Sequence, residues 1–200
     1  RGRNGRADPY GVDLWCLGNE MDGPWQLGHT NATEYTRRAR EAAAAMRDVT
    51  PGIEVVACGS SDPGLPSHPS WTITVLDEFG PGLDYVSLHR YARNFRRRTR
   101  EFLGFGRTVD EQIEETAGLC EAARRRQGHD RPTRISFDEW NVWYKTGHQT
   151  LLRWAVPSRF GGRAPHLIEE VYNLEDALVV AQFLSSFIRH ADVVRRLDRG

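Results

Sequence analysis

The sequence predicts an α/β fold, with a parallel β-sheet of the kind that makes up half of a (β/α)8 barrel. Strand and helix signals alternate along the chain, which favours parallel strands joined by crossover helices. Neither a GxGxxG nor a GxxxxGK[ST] segment follows a predicted strand, so the usual nucleotide-binding signature of an open doubly wound sheet is absent. Polar and acidic residues follow several strands instead, as they do at the C-terminal face of a barrel.

Four short apolar segments read as buried strands, at residues 12–17, 53–58, 83–88 and 133–137. The first helix is predicted to start at Asn31, an N-cap whose partner is Glu34, and to end at Pro51-Gly52. A short second helix follows Ser70. A third starts at a capping box of Thr108 and Glu111, and a last helix starts at Asn173 with Asp176 as its partner. The residues between the fourth strand and the last helix read as a long loop.

Four strands are half of a barrel, and a complete barrel has about 250 residues. We therefore expect residues 1–200 to be the C-terminal half of a larger catalytic domain. The polar Gly/Arg-rich start at Arg1 suggests that the true N-terminus lies upstream.

The composition is that of an ordinary globular protein, with 39% hydrophobic residues and 27 basic against 27 acidic side chains. Because the net charge is zero, the chain as a whole is not attracted electrostatically to nucleic acid or to an anionic membrane. No apolar run approaches the roughly 18 residues of a membrane span. Cys16, Cys58 and Cys120 are odd in number and form no CxxC pair. We interpret Cys16 and Cys58 as buried thiols and predict a reducing, cytoplasmic location.

Two glutamates stand where two predicted strands end: Glu20 closes WCLGNE, and Glu139 opens EWNVWY. Retaining glycosidases need such a pair, because one carboxylic acid protonates the leaving oxygen while the other carboxylate attacks the anomeric carbon. We expect their oxygens to lie about 5–6 Å apart, and the pKa of the acid to be raised. Each glutamate alone could be an ordinary surface residue at the start of a loop.

Five segments in order resemble family 51 of the glycoside hydrolases, the α-L-arabinofuranosidases. The resemblance covers about residues 9–192. Its five segments are WCLGNEMDGPWQLGH (15–29), VACGSS (56–61), YVSLHRY (85–91), ISFDEWNVWY (135–144) and LEDALVVAQFL (174–184). The resemblance implies a (β/α)8 barrel, here roughly strands four to seven with their helices, and a β-sandwich beside it. It assigns the acid/base to Glu20 and the nucleophile to Glu139, and it implies homo-oligomers for the whole protein.

The resemblance also implies substrate-binding roles for Asn19, His89, Tyr91 and Trp143. Asn19 would bind the 2-hydroxyl of the sugar, Tyr91 would orient the nucleophile, and Trp143 would stack on the substrate. The alternatives are a turn residue for Asn19, a structural histidine for His89 and core packing for Trp143. Asp138 should point to the side of the strand opposite Glu139, since neighbouring strand residues alternate.

The basic run at residues 94–107 could be mistaken for a nucleic-acid patch, but a solvated loop at the rim of the active site fits it better. The histidines fit no HExxH or other metal motif, and retaining hydrolysis needs no metal, so we predict no metal and no cofactor. The eighth strand with its glutamine, the first three strands and the β-sandwich of the family have no counterpart in this sequence.

The leading hypothesis is the exo-acting release of terminal α-L-arabinofuranosyl groups from arabinan or arabinoxylan, with retention of configuration. Two alternatives remain open. One is an endo-acting β-glucanase or xylanase, and the other is an inactive carbohydrate-binding remnant. Neither nucleic acid nor a membrane is an expected partner.

Overall fold

A computed structural model describes residues 5, 8, 10–144 and 171–197. The strands and helices alternate as the sequence predicts. In chain order they are β1 (Leu14–Cys16), α1 (Ala32–Val49), β2 (Glu54–Ala57), α2 (Ser70–Phe79), β3 (Tyr85–Ala92), α3 (Thr99–Phe102), α4 (Gly106–Gln127), β4 (Arg134–Val142), α5 (Leu174–Arg189) and β5 (Val194–Leu197). Most of the predicted long loop, 145–170, lies outside the described residues.

The five strands form one sheet in the order β1-β2-β3-β4-β5, and every neighbouring pair is parallel. Parallel neighbours put the carboxyl ends of all five strands at one edge of the sheet. The register of β3 against β4 shifts at one point, because Leu88 is opposite Phe137 whereas His89 is opposite Glu139. Asp138 is thus an extra residue in β4, a β-bulge.

The prediction of a partial (β/α)8 barrel with four strands is wrong. The described residues form an open five-stranded parallel sheet with helices packed on it, and the sheet does not close. Alternating strand and helix signals specify parallel pairing, but closure depends on strand tilt and stagger, which no local signal encodes. The fifth strand was missed because its sequence, VRRL, carries two charged residues and lacks the apolar run of a buried strand.

Two hydrophobic clusters hold the helices on the sheet. One joins α1 and α2 to β2 through residues such as Ala39, Val55 and Val75. The other joins α4 and α5 to β3 and β4, and in it Trp140 and Phe137 pack against Phe187 with ring centroids 4.9 Å apart in each pair. Both clusters lie on the helix face, so the opposite face of the strands is available for a site.

The helix starts at Asn31 and Asn173 are confirmed. The Asn31 side chain accepts a hydrogen bond from the Glu34 amide, and Asn173 and Asp176 form a complete capping box. The predicted capping box at Thr108 is wrong, since α4 already begins at Gly106 and Thr108 donates to the carbonyl of Phe105 instead.

The face of the sheet opposite the helices is curved. Arg196 in β5 donates to Glu54 in β2 over 2.9 Å, although two strands separate them. In a flat sheet strands three positions apart are about 14 Å from each other, and curvature brings these side chains together.

The three cysteines differ in burial. Cys16 is exposed, so the expectation that it is buried is wrong, whereas Cys58 and Cys120 are buried. Cys16 lies on β1, which is an edge strand among the strands that the structure describes. Of the described helices, none is both long and apolar enough to cross a membrane.

Candidate active site

Glu20 lies in a tight turn that follows β1. Its backbone has φ of +47°, in the left-handed region that a residue with a side chain rarely adopts. The turn is closed by a 2.8 Å hydrogen bond from the Gly23 amide to the Glu20 carbonyl, and the Trp25 indole donates to the Glu20 carboxylate. The turn therefore fixes where this carboxylate points.

Glu139 lies within β4, just after the bulge. The Tyr91 hydroxyl donates to its carboxylate over 3.2 Å, so both side chains lie on the face opposite the helices. The bulge turns Asp138 to this face as well, because its carboxylate lies 3.2 Å from His89 Nε2. The prediction that Asp138 points away from Glu139 is wrong, since the extra residue interrupts the alternation of the strand.

His89 is the centre of the group. It is almost fully buried, and its Nδ1 lies 2.9 Å from one oxygen of Glu20 and 3.6 Å from one oxygen of Glu139. Its Nε2 faces Asp138, and Gln112 of α4 donates to its carbonyl. One ring nitrogen thus faces both candidate catalytic carboxylates, while the other faces a third carboxylate.

The charges follow from this arrangement. Burial alone would lower the pKa of His89, but hydrogen bonds to Asp138 and Glu20 and the charge of Glu139 raise it to about 9. Burial would raise the pKa of Glu20, but hydrogen bonds from His89 and Trp25, with the charge of His89, bring it below its usual value. The expectation of a raised pKa for Glu20 is therefore wrong in this structure. At neutral pH His89 is protonated and Glu20 is ionised.

Glu20 and Glu139 line a cleft of about 790 Å³. Asn19 and Trp143 line it, as does Tyr91, whose ring meets that of Trp143 edge-on at 5.4 Å. Of the predicted site residues, only His89 lies beneath the cleft instead of lining it. The sequence reasoning missed Trp25, Gln26, Arg90 and Arg93 as lining residues. For Trp25 the signal was its position five residues after Glu20 within a tryptophan-rich chain.

One oxygen of Glu20, one of Glu139 and a ring nitrogen of His89 lie within 4.8 Å of one another. Three such atoms could hold a metal ion by distance alone. A ring nitrogen that carries a proton at neutral pH cannot ligate a metal until it loses that proton. The same distances suit the two carboxylates of a retaining glycosidase, which are about 5–5.5 Å apart.

Comparisons with known proteins show which proteins this chain is similar to. The family model of the α-L-arabinofuranosidase C-terminal domain matches residues 138–196. An intracellular exo-α-(1→5)-L-arabinofuranosidase of Acetivibrio thermocellus is 40% identical over 96% of this chain, and one from Bacillus subtilis is 39% identical over 98%. The chain resembles the α-L-arabinofuranosidases. It spans 38% of the length of each of these two relatives.

Solved structures of α-L-arabinofuranosidases share the fold. A family 51 enzyme from Bifidobacterium longum superposes with a TM-score of 0.88 at 33% identity, over 100% of this chain and 41% of its own. An arabinose complex of the α-L-arabinofuranosidase from Thermotoga maritima gives a TM-score of 0.78 at 29% identity, over 100% of this chain and 36% of its own. The resemblance to family 51 that the five sequence segments indicate is thus confirmed.

Proposed function

We propose that this chain carries the catalytic carboxylates of a retaining exo-α-L-arabinofuranosidase. The observation that supports this most directly is the convergence of Glu20 and Glu139, with oxygens within 4.8 Å, in one cleft. Such a separation leaves no room for the water that an inverting enzyme places between carboxylates about 6.5–9.5 Å apart. Since the chain spans about two fifths of its relatives, we propose the activity for the protein that contains it. We also propose that this protein is intracellular, as the named relatives are.

In the first step Glu139 attacks the anomeric carbon and forms a covalent arabinosyl-enzyme. Tyr91 donates to Glu139 and holds its carboxylate in one orientation. Burial and the neighbouring Glu139 raise the pKa of Tyr91, so its hydroxyl stays protonated. Asn19 and Trp143 line the cleft where the sugar would bind. The Trp143 indole N–H is buried without a partner among the described residues, while the residue itself lines the cleft.

The acid step belongs to Glu20 and His89 together. Because Glu20 is ionised and His89 is protonated, the proton for the leaving oxygen resides on His89 Nδ1, 2.9 Å from Glu20. Glu20 takes this proton and passes it to the leaving oxygen, which leaves His89 neutral. In the second step Glu20 takes a proton from the attacking water and returns it to His89. The pair thus serves as acid and then as base.

Azide rescue tests the assignment of the two roles. Glu139→Ala should lose nearly all turnover, and azide should restore it by direct attack, giving the β-arabinosyl azide. Glu20→Ala should still form the arabinosyl-enzyme from substrates with good leaving groups, and azide should then give the α-azide. Product stereochemistry by NMR distinguishes the two. Exchanged products would reverse the roles, and absence of rescue from both variants would contradict the double displacement.

Rates on aryl glycosides test the substrate class. We expect hydrolysis of an aryl α-L-arabinofuranoside and little of the aryl β-glucoside or β-xyloside. Faster hydrolysis of either of these two would favour the endo-glucanase or xylanase alternative. Treatment with EDTA should leave the rate unchanged, since neither step uses a metal. A loss of activity that a divalent ion restores would instead assign the Glu20, His89 and Glu139 group to a metal.

A further inference from the structure

The basic loop that follows β3 borders the same cleft. Arg93 lines the 790 Å³ cleft together with Glu20 and Glu139. It also lines a second cavity of about 320 Å³, which we call the arginine groove. The other residues of the arginine groove are Asn94, Phe95, Arg96, Arg98, Glu101, Phe102 and Phe105. Because one side chain borders both cavities, the arginine groove continues the cleft.

The loop is built into a defined shape. Asn94 is buried, and its side chain accepts a 2.8 Å hydrogen bond from the Arg98 amide while its carbonyl accepts one from Arg97. Arg97 takes a left-handed φ of +51°, which completes the turn. The Phe95 ring meets the Tyr144 ring edge-on at 5.8 Å. The backbone from which these arginine side chains extend is therefore held in a defined turn.

The charge of the arginine groove is positive. Within the described part of the chain, Arg98 pairs with Glu101, whereas neither Arg93 nor Arg96 forms an ion pair. Phe95 is 61% exposed, so a flat apolar ring stands beside these guanidinium groups. A guanidinium binds a carboxylate through two parallel hydrogen bonds, and an apolar ring packs on the face of a sugar. The arginine groove combines both features.

We propose that the arginine groove binds a uronic acid unit of the polysaccharide from which the arabinofuranosyl group is released. This inference rests on the proposed function of the cleft, because the sugar chain must run from one cavity into the other. The preferred substrate class is then an acidic, arabinose-bearing polysaccharide. A neutral arabinan would leave Arg93 and Arg96 without partners.

The test compares two arabinosylated oligosaccharides that differ in one unit, a hexuronate in one and the neutral hexose in the other. We expect the protein that contains this chain to hydrolyse the acidic one with a kcat/KM about fivefold higher, as one exposed ion pair allows. The ratio should fall toward one in about 0.5 M salt, because salt screens exposed charges. Arg93→Gln and Arg96→Gln should lower the ratio at low salt. Arg107→Gln, an exposed arginine paired with Glu111, should leave it unchanged.

Calorimetry with an oligouronide that lacks arabinose separates this inference from the proposed function. Binding that exceeds that of the neutral oligosaccharide, and that Arg96→Gln weakens, supports the arginine groove even if no arabinofuranoside is hydrolysed. Equal rates on the acidic and neutral substrates, with equal binding of both oligosaccharides, would overturn the inference and leave the proposed function intact. Tighter binding of a single-stranded oligonucleotide than of the oligouronide would also overturn it, in favour of a nucleic-acid surface.

Discussion

One inserted residue in β4 organises the candidate site. The bulge at Asp138 puts two consecutive carboxylates on one face of the strand, and His89 lies between them and Glu20. Asp138 does not line the cleft, and it faces His89 Nε2 from the side opposite Glu20. We therefore regard Asp138 as a positioning residue. It holds the ring and its second proton so that Nδ1 faces the two glutamates.

The raised pKa of His89 makes stability depend on pH. Protonated His89 is favoured in the folded protein, with a pKa of about 9, over the unfolded chain, where the pKa is about 6.5. This contribution is complete below about pH 6.5 and is lost as the pH rises through about 9. Asp138→Asn keeps the side-chain shape but removes the charge, so the alkaline loss of stability should begin at a lower pH. The value of kcat/KM should fall about tenfold, as for a lost charge-assisted hydrogen bond.

Urea unfolding and kcat/KM, each measured across pH, give the two readouts. Asp130→Asn is the matched control, since Asp130 is fully exposed and lies away from the site. It should leave both pH profiles unchanged. The Asp138→Asn variant could instead lose stability and kcat/KM by the same factor at every pH, with the alkaline decrease at the same pH as in the unchanged protein. That result would mean that Asp138 has only a structural role.

At the scale of elements, α5 anchors the half of the sheet that carries Glu139. Phe183 and Phe187 of this helix pack on Trp140, the residue that follows Glu139, with ring centroids 5.3 and 4.9 Å away. The helix starts at the capping box of Asn173 and Asp176, which satisfies backbone amides at its first turn. The cap of α5 thus supports the strand behind the candidate nucleophile.

Asn173→Ala should lower the free energy of unfolding by about 1 kcal/mol, the usual cost of losing an N-cap side chain. The variant removes the oxygen that accepts from the Asp176 amide. Because Asp176 is buried, water does not replace the lost hydrogen bond. Ser185→Ala serves as the control on the same helix, because Ser185 is exposed and donates only within the helix, to Ala181. Urea denaturation measures both variants. An equal loss in the two would contradict a specific role for the cap.

At the scale of the molecule, apolar surface is exposed on one helix. Leu174, Leu178 and Ile188 of α5 are 75%, 45% and 76% exposed, and they share one face of the helix. Among the described strands, β1 and β5 are the two edges of the sheet. Exposed strand edges and contiguous apolar residues both favour association between chains. The 200-residue segment therefore has two kinds of surface that favour association: the edges of the sheet and the apolar face of α5.

We expect this segment, produced by itself, to self-associate as its concentration rises. The double change Leu178→Lys with Ile188→Lys should shift it toward the monomer, because two charges would then lie on the apolar face. Val49→Lys, at an 83% exposed position at the end of α1, is the control and should change little. Size-exclusion chromatography with light scattering gives the mass. A monomeric segment with a cooperative thermal transition would contradict this expectation.

Local signals in the sequence determined where most of the strands lie and where two of the helices begin. Apolar runs located four of the five strands, and Asn31 and Asn173 located two helix starts, because hydrophobic periodicity and capping act over a few residues. The same signals placed Glu20, His89, Tyr91 and Glu139 toward the carboxyl ends of three parallel strands of one sheet. Only the tertiary structure decided that the sheet stays open, that Asp138 turns toward His89, and that the pKa of His89 is raised while that of Glu20 is lowered. Each of these depends on contacts between residues far apart in the chain, which set strand register, burial and charge together.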